Sequence, residues 1–289
     1  MRILVTGAAG YIGSALVRGL SGHEVIATDQ SGTGLIGNLA YPPFTRSLIT
    51  PEIDLVFHLA SLVSGGAEQN FELGTKVNLE ATRDLLEACR LAGHRPKFVF
   101  ASSIAVYGGR IPDPVTDDTP PSPRLSYGAQ KLVGEILIAD YTRRGYLDGC
   151  SLRLPTVMVR PGSANTAVSG WASAIIREPL AGRDYVCPVR PDTRMACISL
   201  RRVVDAFLRA QSVTGTFLLP GISVSAEQMW NAVKGRARGK VTFAPDERLQ
   251  AIMDAVPKTT VSNRGFAGSA SIEEIVAEYE EEAAVSNHG

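Results

Sequence analysis

Residues 6–13 read Thr6-Gly7-Ala8-Ala9-Gly10-Tyr11-Ile12-Gly13. They stand between a short apolar run with β-branched residues, Arg2 to Thr6, and a stretch of helical spacing, Tyr11 to Leu20, that stops at Gly22. In the order strand, glycine turn, helix, each glycine has a mechanical reason. Gly7 permits the tight turn, Gly10 lets backbone approach a pyrophosphate, and Gly13 lets the helix lie close to the sheet. The helix N-terminus, with Tyr11 and Ile12, then aims amide hydrogens at the phosphates. The second strand, Glu24 to Thr28, ends at Asp29. A carboxylate there accepts from both ribose hydroxyls and repels a 2′-phosphate, and neither Gln30 nor Ser31 is basic, so NAD is expected over NADP.

Further along the chain, strands at Asp54–Leu59, Lys97–Ala101 and Cys150–Leu154 alternate with a long helix from about Glu68 to Leu91 and another from Tyr127 to about Arg144. In the first of these, Val77, Ala81, Leu85 and Ala88 share a face. The alternation predicts the α/β class: a Rossmann-like, doubly wound parallel sheet. Beyond Arg160 the pattern breaks into a loop with Pro161, Gly162 and Asn165, a helix near Ser169 to Arg177, a Pro/Arg-rich segment and a helix from Ser199 to Gln211. A returning strand follows at Gly215–Leu219. The expected division is an NAD-binding domain over residues 1–159 and 199–222, with a smaller, mostly C-terminal substrate-binding lobe over 160–198 and 223–289. Capping boxes open later helices at Ser225–Gln228 and Ser271–Glu274.

A chain of 289 residues, 45% hydrophobic and 20% charged, can bury one large core or one core with a smaller lobe. Lys plus Arg (29) balances Asp plus Glu (29), which gives no electrostatic argument for nucleic acid or an anionic membrane. No apolar run approaches the ~18 residues of a membrane span, and Met1-Arg2 leads straight into a strand, so no signal peptide is expected. Cys89, Cys150, Cys187 and Cys197 are scattered without a Cys-x-x-Cys pair. Buried thiols in a reducing cytoplasm, and no metal site, are the expectation.

The chemistry is carried by Ser126-Tyr127-Gly128-Ala129-Gln130-Lys131, where four-residue spacing sets a phenol and an ammonium on one helix face. Tyrosine ionises near ~10, and bringing that to about 7 takes about 4 kcal/mol of differential stabilisation of the phenolate. On a solvated face the same spacing means nothing. In a water-poor cleft, a lysine one turn away and an oxidised nicotinamide ring together suffice.

With Gly7, Gly10, Gly13, Asp29, the His58-Leu59-Ala60 turn, Asn78, Ser103 and the Tyr127/Lys131 pair in order, the chain resembles the extended short-chain dehydrogenase/reductase, or NAD-dependent epimerase/dehydratase, superfamily. Three segments carry a narrower resemblance, to its D-erythronate dehydrogenase branch: Leu62-Val63-Ser64-Gly65-Gly66-Ala67-Glu68; Leu152-Arg153-Leu154-Pro155-Thr156-Val157 with Arg160-Pro161-Gly162; and Ile175-Ile176-Arg177-Glu178-Pro179-Leu180-Ala181-Gly182. That branch oxidises the 2-hydroxyl of a four-carbon sugar acid with NAD.

The resemblance implies that Tyr127 takes the hydroxyl proton, that Lys131 lowers the tyrosine pKa and holds the nicotinamide ribose, and that Ser103, four residues before the tyrosine of Val106-Tyr107-Gly108, holds the reacting oxygen. Leu59, Ala60, Asn78 and Pro155 complete the expected cofactor contacts, with Asn78 fixing backbone geometry or a relay water. His58 is expected to be packed. A substrate carboxylate suits the planar fork of arginine, Arg177 or Arg194, with Ser64 and Thr156 as neutral donors and Asn165 at the lip. The superfamily also implies a homodimer through the helices around 68–91 and 127–144, because Leu132, Val133, Ile136, Leu137 and Ile138 are too many apolar positions for one core-facing stripe. One departure is the missing acidic-residue-plus-Leu pair beside the adenine, for which Arg46-Ser47-Leu48 is the nearest substitute.

A nucleotide-sugar 4-epimerase uses the same Ser/Tyr/Lys chemistry but needs room for a second nucleotide. A dehydratase needs an Asp-Glu pair after the serine, where Ile104-Ala105 stand. A non-enzymatic NAD-binding sensor has no use for Tyr127 and Lys131.

Overall fold

The computed structural model describes residues 1–32, 34–162 and 167–286. A 7-stranded sheet contains β1 (Arg2–Thr6), β2 (Glu24–Asp29), β3 (Leu35–Ile36), β4 (Leu55–His58), β5 (Lys97–Ser103), β6 (Asp148–Leu154) and β7 (Gly215–Leu218), in the order β7-β6-β5-β4-β1-β2-β3. All pairings from β3 across to β6 are parallel. The chain winds outward in both directions from β1 and β4, which makes the C-terminal ends of those strands the topological switch point.

Parallel strands covered on both faces read as unbroken apolar runs. Ile3-Leu4-Val5, Leu55-Val56-Phe57 and Phe98-Val99-Phe100 are such runs, each essentially without exposed surface. Helix α1 (Tyr11–Gly19) follows the glycine turn, α2 (Ala81–Ala92) packs Leu85, Leu86 and Cys89 against Leu4, Val56 and Phe98, and α3 (Ser126–Arg143) adds Ile138.

Two local expectations are corrected. The long helix from Glu68 to Leu91 is four pieces: Ser64–Gln69, Phe71–Gly74, a π-helical stretch Thr75–Glu80, and α2. Asn70 causes the first break, because it leaves helical geometry and its side chain accepts from Leu73 N–H to cap the next turn. The Val77, Ala81, Leu85, Ala88 stripe is nevertheless buried. Arg46-Ser47-Leu48 does not end a strand. Arg46 and Ser47 close a helix, Pro42–Ser47, that begins on prolines, and Arg46 donates to Asp84 at 2.9 Å.

The chain divides into two compact units, the first comprising 1–106, 123–154 and 204–217, the second 107–122, 155–203 and 218–289. Residues 107–122, 155–159, 199–203 and 218–222, which the sequence reading groups with the sheet, fall in the second unit. In that unit a 3-stranded sheet has the order Ile222–Ser225, Arg194–Ser199, Thr156–Met158. Its core gathers Met158, Trp171, Ile175, Ile176, Cys197, Met229 and Ile275. The capping box at Ser225 is complete. At Ser271 only half forms: its Oγ accepts from Glu274 N–H, but the Glu274 carboxylate takes the Ala270 N–H instead.

All four cysteines are buried and free. No helix among the described residues is long and apolar enough to cross a membrane, and no group of His, Cys, Asp or Glu among them could hold a metal ion.

Candidate active site

The glycine turn is crowded by backbone at Gly7 and Gly13, and that crowding explains both residues. Gly7 has φ +72°, and a Cβ there would sit 2.7 Å from Ala60 N. A Cβ on Gly13 would sit 2.1 Å from Gly7 O, so the first turn of α1 packs on the glycine turn itself. Gly10 is the N-cap of α1 and offers no side chain to cap its amides. Tyr11 and Ile12, both half-buried, follow in the first helical turn.

Asp29 ends β2 with Oδ2 accepting from Ala9 N–H at 3.0 Å and Oδ1 from Gln30 N–H at 2.7 Å. Each carboxylate oxygen keeps a further lone pair for a ribose hydroxyl. Leu59 and Ala60 are tied to β1, through Thr6 O and Thr6 Oγ1 respectively. Narrow glycine backbone, an uncapped helix N-terminus and a carboxylate at the next strand end fit a dinucleotide.

Asn78, in the π-helical stretch and buried, accepts from Leu62 N–H (2.7 Å) and Ser61 Oγ (2.9 Å). Its amide donates to Leu62 O (3.0 Å) and Gln130 Oε1 (2.8 Å). These four bonds use its donors and lone pairs within the protein, so it clamps the loop after β4. Helix Ser64–Gln69 follows that loop with Ser64 at its start, half-buried.

The groups expected to react lie at the C-terminal end of β5 and in the first turns of α3. Ser103 Oγ accepts from Ala105 N–H at 3.1 Å, which leaves its own proton to donate elsewhere. Tyr127, half-buried, lies in the first turn of α3, whose Ser126 N–H is held by the Glu68 carboxylate. Lys131 is 1% exposed, with Nζ 4.6 Å from the Phe100 ring centroid and 5.6 Å from that of Tyr127. Burial pushes its pKa down to about 7, against the pull of Glu135, which favours the charged form. Nζ and the Tyr127 ring share one face of α3, one helical turn apart.

His58 is packed, as the sequence suggests. It lies between Thr6 Oγ1 (2.7 Å) and Thr82 Oγ1 (2.9 Å), and burial first, then the Lys131 charge, depresses its pKa to about 3, leaving it neutral.

Sequence reasoning passed over four residues here. A Cβ on Gly128 would lie 2.0 Å from Ala105 O, so α3 and the Ser103–Ala105 segment touch through backbone. Gln130 completes the Asn78 clamp. Glu135, one turn beyond Lys131, pairs with Arg153 of β6 through a fork, at 2.6 Å from Nη2 and 3.0 Å from Nε. The Tyr127, Lys131, Glu135 spacing is visible in the sequence; the Arg153 pairing across two elements is not.

Among the expected substrate residues of the second unit, Arg177 lies in the helix Gly170–Leu180. It is buried, donates to Arg160 O at 2.8 Å and pairs with Glu178 at 2.7 Å. Its guanidinium is thus engaged with groups of its own unit. Arg194 is exposed and makes a long contact, 3.4 Å, with Ser223 O. Thr156 is half-buried opposite Cys197 on the neighbouring strand. Pro155 is buried against Gly221, and Asn165 lies outside the described residues.

Residues 3–211 match the family model described as the NAD dependent epimerase/dehydratase family. The D-erythronate dehydrogenase of Cupriavidus necator is 40% identical, over 99% of this chain and 100% of that protein. The D-erythronate dehydrogenase of Haemophilus influenzae is 36% identical, over 92% of this chain and 93% of its own. Among solved structures, the nucleoside-diphosphate-sugar epimerase from Agrobacterium tumefaciens superposes with a TM-score of 0.89 at 32% identity, covering 98% of this chain and 95% of that one.

Proposed function

The chain belongs to the NAD dependent epimerase/dehydratase family, and from that premise we propose that it is an NAD-dependent dehydrogenase oxidising the 2-hydroxyl of D-erythronate to 2-dehydro-D-erythronate. The observation that carries this reading is similarity to two D-erythronate dehydrogenases across nearly the whole chain, the second unit included.

Gly7, Gly10, Tyr11, Ile12 and Gly13 cradle the pyrophosphate with backbone, and Asp29 takes the adenosine ribose. Leu59, Ala60 and Pro155 flank the rest, with Asn78 acting on the cofactor loop through Leu62. NAD, when bound, supplies the acceptor for the hydrogen that leaves C2 with its electron pair. Tyr127 takes the hydroxyl proton, Lys131 stabilises the phenolate and holds the second ribose, and Ser103 donates to the reacting oxygen so that it stays within the ~3 Å that proton transfer needs. Ser64, Thr156 and Asn165 are proposed as neutral contacts to the acid. An NADH-formation screen over four- to six-carbon aldonates, uronates and UDP-sugars tests the reading. D-Erythronate should lead, and turnover of a UDP-sugar alone would move the assignment to an epimerase.

Cofactor choice follows from Asp29, whose carboxylate would face a 2′-phosphate. NAD is expected to exceed NADP by about tenfold or more in kcat/KM, or about 1.4 kcal/mol. Parity between the two would mean that Asp29 does not meet the ribose.

With Arg177 committed to Glu178, Arg194 is the proposed partner of the substrate carboxylate. Arg194→Met is expected to raise KM at least tenfold with a small change in kcat, the pattern of lost uniform binding. Arg177→Met is expected to lower Tm instead, because it removes one partner of a buried ion pair. A raised KM in Arg177→Met with unchanged Tm would reverse the two roles.

A homodimer is proposed through α3 and the helices before it, on the ground that Val133 and Ile136 are exposed, as are Phe71 and Leu73. Light scattering should give twice the chain mass, and a monomer at all concentrations would end the proposal. The buried free thiols support a reducing, cytoplasmic setting.

A further inference from the structure

Glu135 and Arg153 form a buried ion pair directly behind the lysine of the proposed active site, with side chains 4% and 12% exposed. Two charges taken out of water in this way rarely repay their desolvation as stability, and a well-packed apolar pair often serves the fold as well. The geometry here gives the pair a second task. Tyr127, Lys131 and Glu135 repeat every four residues along α3, so phenol, ammonium and carboxylate follow one another on a single face, about 6 Å apart at Cβ. The carboxylate is held from the far side, by Arg153 Nε and Nη2 from β6 and by Ser102 Oγ, the residue before Ser103, from β5. It is therefore oriented toward the arginine and is not drawn onto the lysine.

We propose that the Glu135–Arg153 pair is the positioning device for the Lys131 charge: Glu135 supplies the negative field that keeps the buried ammonium charged, and Arg153 anchors the carboxylate so that Nζ stays with Tyr127. The inference rests on the reading of Tyr127 and Lys131 as a working pair. The other groups facing Lys131 cannot supply that field. His58 of β4 is neutral and Phe100 of β5 presents a ring face, whose attraction for a cation is modest. Tyr127 lies on the same face, with its ring centroid 5.6 Å from Nζ, and the Arg153 charge is neutralised by Glu135.

The ammonium titration is measurable without turnover. The lysines of the chain are Lys76, Lys97, Lys131, Lys234, Lys240 and Lys258, few enough for the Cε resonance of Lys131 in 13C-lysine-labelled protein to be identified by its loss in Lys131→Arg. In Glu135→Gln the midpoint is expected to fall by about one pH unit, a tenfold loss of proton affinity, because the carboxylate is gone and the Arg153 charge is left facing the amine. In the double variant Glu135→Met/Arg153→Met both charges go together, and the midpoint is expected to fall by less.

A pair with only a structural role would lower Tm and leave the midpoint in place, so an unmoved or raised midpoint in folded Glu135→Gln overturns the proposal. Should that variant not fold, the double variant, which leaves no unpaired Arg153 charge, decides by the same criterion. Failure of the wild-type protein to oxidise D-erythronate would overturn the functional reading while leaving the lysine titration to be judged separately.

Discussion

Tyr127→Phe is expected to lower kcat on D-erythronate by roughly 100-fold or more, the scale set by losing a positioned acid/base group. The ring stays in the first turn of α3 and Lys131 keeps the Phe100 face beside it, so Tm and NAD affinity should be close to wild type. Loss of the phenol also removes the phenolate that a charged lysine would stabilise, which leaves burial, favouring the neutral amine, opposed by the field of Glu135. Steady-state kinetics with NAD titration by fluorescence checks the expectation. Near-normal turnover would remove Tyr127 from the mechanism.

Gly128→Ala is expected to cost a comparable factor in kcat for an entirely different reason. Its Cβ would meet Ala105 O at 2.0 Å and Ala105 C at 2.8 Å, and neither is a flexible side-chain end that can swing aside. Either α3 or the turn carrying Ser103 has to move, and Ser103 and Tyr127 then part. A displacement on the order of 1 Å is worth about 100-fold in rate when two groups must meet one atom. Alanine at an exposed helical position would instead stabilise relative to glycine by about 1 kcal/mol. A more stable, fully active Gly128→Ala protein would show that α3 does not depend on this contact.

The sheet was legible because parallel strands buried on both faces leave unbroken apolar runs, and the turn from Thr6 to Gly13 was legible because Gly7 and Gly13 stand where backbone meets backbone too closely for a side chain. Tyr127 and Lys131 could be found as a pair because helical periodicity is local. Contacts that depend on tertiary closure left no such trace. Arg153 reads as an ordinary strand residue until β6 lies beside α3 and brings it to Glu135. Arg177 reads as a substrate candidate because a lone arginine in an irregular segment invites that reading; its bond to the carbonyl of Arg160 is supplied only by the fold. The break at Asn70 was missed since a helix that continues the same buried stripe on both sides of a cap keeps its apolar period.

A π-helical turn holds one residue more than the α-helical turn it replaces. Between Thr75 and Glu80 that surplus acts as a splice between two registers. On one side the chain is keyed to Leu62 and Gln130 through the Asn78 amide; on the other it is keyed to the sheet through Leu85 and Ala88. Deleting a single residue there would let the backbone relax to a regular helix and rotate one register against the other by roughly 100°. Core and cofactor loop are therefore inherited as one length-locked block. Insertions and deletions among related chains should collect elsewhere.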